Sequence, residues 1–363
     1  METPKKLSKL KNKLDGLSAK LLSLQPPLFL STYRSQYSPI SLNLTESTTL
    51  LPPSGRTCSI SLGGFGSSKN PEACNMLLSV TDEGELTIWN LLKSRAVHKA
   101  NIYSEDPWLM SCAFEHSEGS VIAAGGMEGK IHLFKLIKKK KSLDLTISEH
   151  PVISIHAHDN YISKCEFLTS ISILTASGDG TCKLWPVEPR PDPIQVFKAH
   201  SQDVLGLSVT PRNPALFVTG ACDGYVRVWD TRGKRSVWES FWPGGNVNAV
   251  KFLKDSEQTF VAGHSGGRAK VFDLRVMREV AGFFCGRAVT EVEFSQSGRV
   301  VLVGDQGGGV KAWDLLDDRV TVQVLALGGE GISGIGISAM GDLVCCATFE
   351  AGITLLRNKS PGD

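Results

Sequence analysis

Two histidine–aspartate pairs are the first candidates for chemistry in this chain. His158 precedes Asp179 by 21 residues with Thr175 between them, and His200 precedes Asp223 by 23 with Thr219 between them. An imidazole oriented by a carboxylate beside a hydroxyl is how a base-activated nucleophile is built. The rest of the sequence does not support that use. It holds no G-x-S-x-G, no phosphate loop ending in Gly-Lys-Ser/Thr and no H-E-x-x-H. The nine cysteines (58, 74, 112, 165, 182, 222, 285, 345 and 346) include no C-x-x-C pair. That speaks against a zinc site or a disulfide framework and for reduced, mostly buried thiols. The Gly-rich run Asp305-Gln-Gly-Gly-Gly309 opens a strand, so it offers a phosphate no helix N-terminus and reads as a turn. No catalytic residue, metal or cofactor is expected.

The elements that must position these pairs repeat. Apolar, alternating runs close on Trp89, Phe134, Trp185, Trp229, Phe272, Trp313 and Leu356, at gaps of 45, 51, 44, 43, 41 and 43 residues. Alternation marks strands, and a period near 40–45 marks stacked supersecondary units. Asp179-Gly180 and Asp223-Gly224 lie six residues before their tryptophans, and Ala157-His158 and Ala199-His200 open the same two repeats. Aspartate suits such turns because its short carboxylate accepts local backbone N–H groups. The Thr-rich, alternating segment 42–51 supplies the outer strand that the last repeat lacks, closing the ring and leaving no free edge. The gap of 51 implies an insertion around Lys138-Lys139-Lys140-Lys141, a solvated loop or a juxtamembrane or acidic-partner contact.

Ahead of the repeats, Leu7, Leu10, Leu14, Leu17, Leu21 and Leu24 alternate steps of three and four. On a helix this is the narrow a/d seam of a coiled coil. Lys6, Lys13 and Lys20 fall at g and Lys11 at e, which disfavours a parallel homodimer and asks for a different, acidic partner helix. Gly16 costs about 1 kcal/mol relative to Ala, so the helix needs that partner. A frayed basic tail, or a basic amphipathic helix lying on an anionic membrane, are the alternatives. The expected organisation is a coiled-coil helix over 1–25, a linker over 26–41 and a seven-bladed β-propeller over 42–363.

Composition narrows the partners. With 39 Lys+Arg against 37 Asp+Glu, a formal charge of +2, the chain lacks the basic field of a nucleic-acid coat. No stretch of about 18 apolar residues is present to span a bilayer.

The His/Asp-Gly/Trp pattern resembles the WD-repeat family, whose repeat is one four-stranded propeller blade. A leucine-seam helix followed by seven such repeats resembles the heterotrimeric G protein beta subunits in particular. The stretches that carry the likeness are Asp106-Pro-Trp-Leu-Met-Ser-Cys-Ala-Phe114, Ile173-Leu-Thr-Ala-Ser-Gly-Asp-Gly-Thr-Cys182, Phe217-Val-Thr-Gly-Ala-Cys-Asp223, Phe272-Asp-Leu-Arg275 and Phe294-Ser-Gln-Ser-Gly-Arg299. The Thr-Ala-Ser-Gly-Asp-Gly run and the Lys-rich insertion are similar to the divergent subtype that pairs with gamma-like domains of RGS proteins.

The resemblance implies structural tetrads, not catalysis: His158, Thr175, Asp179 and Trp185 in one blade, His200, Thr219, Asp223 and Trp229 in the next. Pro243, Gly266 and Gly328 break the pattern in blades five and seven, which must then rely on apolar packing. It also implies that the leucine seam binds a gamma subunit, and that the narrow propeller face binds an alpha subunit and effectors. The face residues would be Arg56, Trp108, Met110, Met127, Tyr161, Asp203, Leu205, Asn246, Asn248 and Phe349, with departures from the family at Cys58, Asn246 and Ser265. With no C-terminal C-a-a-X and no N-terminal Met-Gly, membrane attachment would come from lipidated partners, placing a cytoplasmic protein at the inner face of the plasma membrane. A rival resemblance rests on Trp229-Asp-Thr-Arg232 and Phe272-Asp-Leu-Arg275, which are similar to the boxes of WD-repeat substrate receptors of cullin-RING ubiquitin ligases.

Overall fold

The computed structural model describes residues 44–52, 54–63, 76–102, 106–115, 121–138, 145–188, 190–198, 200–210, 212–254, 256–315, 321–338, 341–350 and 352–358. The leucine seam at Leu7 to Leu24, the linker and the lysine run from 139 onward lie outside them. Among the described residues every element is a strand, and 29 strands form seven antiparallel sheets. The all-β propeller expected from the repeats is what the chain forms.

The third blade shows how sequence becomes sheet. Its strands are Ile162–Thr169, Ser172–Ser177, Thr181–Pro186 and Gln195–Lys198, paired in chain order from the channel outward. The second and third strands are joined by a short turn that ends on Gly180 at φ 77°. The same place in the other six blades is held by Gly84, Gly129, Gly224, Gly267, Gly308 and Gly352, all between 70° and 81°. Positive φ is strained for any residue with a Cβ, so this glycine is the most regular feature of the repeat.

Apolar side chains fill the spaces between sheets. Ala113, Ile131 and Leu133 of blade two meet Ile162, Cys165, Phe167 and Trp185 of blade three in one buried cluster. Each such aromatic or aliphatic side chain contributes roughly 2–3 kcal/mol on burial. The sheets approach closely at glycines. A Cβ on Gly125, Gly220, Gly263 or Gly304 would sit 2.4–2.6 Å from Ile162, Val247, Val289 or Ile332 of the following blade.

Leu44–Leu50 pairs antiparallel with Gly352–Asn358, so the first described strand is the outermost strand of the last blade. Leu44 and Leu50 are buried there. The long repeat is also explained. In blade two the third strand, Lys130–Lys138, pairs over its far end with Leu145–Ile147 and over its near end with Ile153–His156. The insertion has split one outer strand into two.

Candidate functional site

The connections into each blade and the turns between its second and third strands gather at one end of the propeller. Both His–Asp pairs lie there and both are closed. His158 Nδ1 is 2.8 Å from Asp179 Oδ2 and Nε2 is 2.7 Å from Thr175 Oγ1. His200 makes the same contacts to Asp223 at 3.1 Å and Thr219 at 2.7 Å. Burial pushes both imidazoles below their ordinary pKa against the opposing pull of their aspartates. Burial raises Asp179 and Asp223, but hydrogen bonds from the histidines outweigh it and hold both carboxyls well below the usual range. A neutral imidazole locked between a carboxylate and a threonine is a strut.

The tetrads differ from expectation in three ways. In blade four the Trp229 indole donates to Thr219 Oγ1 at 2.9 Å and completes the network. In blade three the Trp185 indole nitrogen is buried without a partner, so that network ends at Thr175 and is not whole. Trp229 is instead the better-anchored ring, stacked on Phe217 at 5.9 Å. Blade one, which lacks the His–Asp pair, still has Trp89 donating to Ser79 Oγ at 2.8 Å. Blade five does not rely on apolar packing alone. His264, from the second strand, stacks on Trp242 at 4.5 Å and accepts the Gly266 N–H at 2.9 Å, filling the space left by Pro243 and Gly266.

Some of the face residues around the channel mouth are bonded to one another. Tyr161 lies against Gly178 and donates its hydroxyl to Asp203 Oδ2 at 2.6 Å. Trp108 is 42% exposed, and its carbonyl accepts the Met127 N–H at 2.9 Å. Burial pushes the neighbouring Cys58 thiol up to about 11, opposed by a hydrogen bond with Trp108, and so favours the unreactive thiol form. Arg56 is exposed, with its N–H on Asp82 Oδ1 at 2.7 Å. Met110, Met127 and Leu205 are half-buried, and Phe349 is 37% exposed.

Two residues of this set are committed to the fold. Asn248 Nδ2 donates to the Val289 carbonyl at 2.7 Å and ties blade five to blade six. Asn246 N–H donates to Ser265 Oγ at 2.8 Å, while Ser265 N–H donates to the Asn246 carbonyl at 2.9 Å. Two of the positions that depart from the resemblance, Asn246 and Ser265, are therefore bonded to each other.

Beneath the mouth, a cavity of about 550 Å³ runs along the channel. Charged side chains pair across it: half-buried Lys251 Nζ stands 3.5 Å from both Glu166 and Glu293, and Lys164 bonds Glu291. These bridges brace blades three, five and six across the centre. Among the described residues no group of His, Cys, Asp and Glu is placed to hold a metal ion.

Sequence reasoning missed Phe241 and Phe284. With Trp108 and Phe349 they are the exposed aromatic side chains of the described residues, and all four sit toward this end. The signal was available in Ser236-Val-Trp-Glu-Ser-Phe241. Alternation puts Phe241 on the same side as Glu239, which marks that side as outward.

The W/F-D-x-R ends lie at the opposite end. Arg232 forms a two-pronged bond to Asp230, and Arg275 does the same to Asp273. Each arginine closes its own loop.

Comparison with known proteins agrees with this geometry. The family described as WD domain, G-beta repeat matches residues 149–186 and 191–230, the two repeats with His–Asp pairs. The chain is 32% identical over 302 residues to the guanine nucleotide-binding protein subunit beta-1 of Nicotiana tabacum, covering 77% of each. It is 30% identical to the beta subunit of Oryza sativa subsp. japonica, over 88% of this chain and 85% of that one. With the beta subunit of Zea mays it shares 28% identity over 96% and 97% of the two chains. Seven closed blades, the tetrad repeats and this extent of shared sequence place the chain in the family of guanine nucleotide-binding protein beta subunits.

Proposed function

We propose that the chain is the non-enzymatic beta subunit of a heterotrimeric G protein. Residues 1–25 form a helix whose Leu7, Leu10, Leu14, Leu17, Leu21 and Leu24 clamp a gamma subunit or the gamma-like domain of an RGS protein. A linker over 26–41 joins it to the propeller over 42–363. The narrow face binds an alpha subunit and, when freed from it, effectors. Lipidated partners hold the cytoplasmic complex at the inner face of the plasma membrane, and nucleotide chemistry belongs to the alpha partner.

The observation that carries this reading is the exposure of Trp108 and Phe349 at the end of the propeller that also carries the Tyr161–Asp203 pair. Exposed aromatic anchors on a face that also carries a carboxylate are what a protein-binding hot spot requires. Chemistry has no comparable support, since both His–Asp pairs are closed struts. The ligase-receptor alternative is not favoured, because Arg232 and Arg275 are engaged by their own aspartates.

Native mass spectrometry of the full-length chain, captured from its own cells at low salt, tests the reading. A stoichiometric small helical subunit is expected, and Leu14→Lys should lose it while the β signal in circular dichroism stays. A large ligase adaptor with no small subunit would overturn the assignment.

A further inference from the structure

Phe241 and Phe284 are 56% and 68% exposed and end the outermost strands, Ser236–Phe241 and Arg278–Phe284, of blades four and five. They are equivalents in the repeat. Phe241 pairs with Tyr225 and Phe284 with Arg268, each the first residue of its blade's third strand. Blades one, three and six place Asn101, Lys198 and Ala326 at this position. Neither phenylalanine belongs to a core cluster, so the fold does not need an aromatic at either place. The Phe241 ring lies 4.9 Å from the half-buried Tyr225, and beneath the rim the buried Trp242 stacks on His264 at 4.5 Å, with the Lys270 ammonium 4.5 Å from its ring.

The charges beside these rings are unbalanced. Arg227 is held by Asp223 and Glu239, and Lys270 by Glu279. Arg268 and Arg287 are exposed, and among the described residues neither guanidinium has an ion-pair partner. Arg287 reaches over the turn of blade six, where a side chain on Gly307 would meet its Nη1. Free cations next to solvent-facing aromatics leave a surface complementary to acid and apolar groups together.

We propose that the rim of blades four and five docks an acidic segment of a partner protein that carries apolar side chains. Phe241 and Phe284 take the apolar groups, and Arg268 and Arg287 take the carboxylates. Charge selects this occupant. A basic segment would be repelled by both arginines, and Glu239 and Glu279 on the same two strands are already paired with Arg227 and Lys270, so the positive charge faces the occupant unopposed. The site is distinct from the channel mouth, and it stands on exposure and charge whichever partner the mouth binds.

A library of short random peptides displayed on phage, selected on the full-length chain and counter-selected on a Phe241→Ala/Phe284→Ala variant, tests this. Selected peptides should be rich in Asp and Glu together with Leu, Phe or Trp. A selected peptide should bind about tenfold more weakly to the double alanine variant and to Arg268→Glu/Arg287→Glu, with affinity falling as salt rises. Trp108→Ala should leave it unchanged. The four residues are exposed, so circular dichroism should show intact variants. Enrichment of basic peptides, sensitivity to Trp108→Ala only, or no peptide that distinguishes the two proteins would overturn the proposal. So would capture of the chain by phosphatidylserine vesicles in a Phe241- and Phe284-dependent manner with no such peptide.

Discussion

Tyr161 donates its hydroxyl to Asp203 Oδ2 at 2.6 Å, so two side chains at the channel mouth bind the start of blade three to the start of blade four. The ring is backed by Gly178, where any Cβ would fall 2.5 Å from it. A surface built this way is set before the partner arrives, which lowers the ordering cost of binding.

This bond has a spectroscopic consequence. Burial and the adjacent Asp203 both push the Tyr161 phenol above its ordinary range. Asp203→Ala should bring its ionisation down, read as an ultraviolet absorbance titration against Tyr161→Phe. Tyr161→Phe itself should cost about 1.5–3 kcal/mol of stability, one hydrogen bond to a charged group. An unchanged titration in Asp203→Ala would show that the pair does not persist in solution.

Trp108 provides the sharpest functional test. Because it is 42% exposed, Trp108→Ala should leave the thermal midpoint nearly unchanged. Calorimetric titration with the alpha subunit should show a loss of about 2 kcal/mol, roughly 30-fold in affinity. Unchanged binding with collapsed stability would make Trp108 a blade-core aromatic instead.

The unequal tetrads predict unequal mutants. Trp229→Phe removes the donor to Thr219, whereas Trp185→Phe removes a buried N–H that bonds nothing. The change in volume is the same, so the packing cost largely cancels. Trp229→Phe should be the more destabilising by about 1–2 kcal/mol in urea denaturation. Equal losses would mean that the two indoles are equally satisfied.

Stability should fall on the acid side in two stages. His158 and His200 have folded pKa values below the unfolded value near 6.5, so below about pH 6.5 the unfolded chain takes up protons that the fold refuses. Burial also holds His132 down at about 4, and burial lowers His264, so these two add to the same window. Asp179 and Asp223, held low against burial by their histidines, contribute stability that is lost only below the unfolded value of about 3.9. Thermal midpoints between pH 7.5 and 4.5 should therefore decline, and His158→Asn/His200→Asn should flatten the slope. An unaltered slope would place the titrating groups elsewhere.

The sequence by itself determined the repeat, because hydrophobic alternation and turn chemistry are local properties. The spacing of Trp89 through Leu356, the Asp-Gly turns and the need for an outer strand near 42–51 were all readable, and Leu44–Leu50 supplies that strand. Even the glycine at every such turn, from Gly84 to Gly352, is a local requirement that the pattern contains. What only the tertiary structure decided depends on residues distant in the chain. Thr175 and Thr219 occupy equivalent positions, yet only Thr219 receives an indole, since that geometry depends on how each ring seats against the neighbouring sheet. His264 taking over the space of a missing pair, Asn246 bonding Ser265, and Lys251 reaching carboxylates of blades three and six all follow from ring closure. Closure brings together side chains that no single repeat specifies, and it alone settles which aromatics end up in the core and which, like Phe241 and Phe284, are left facing solvent.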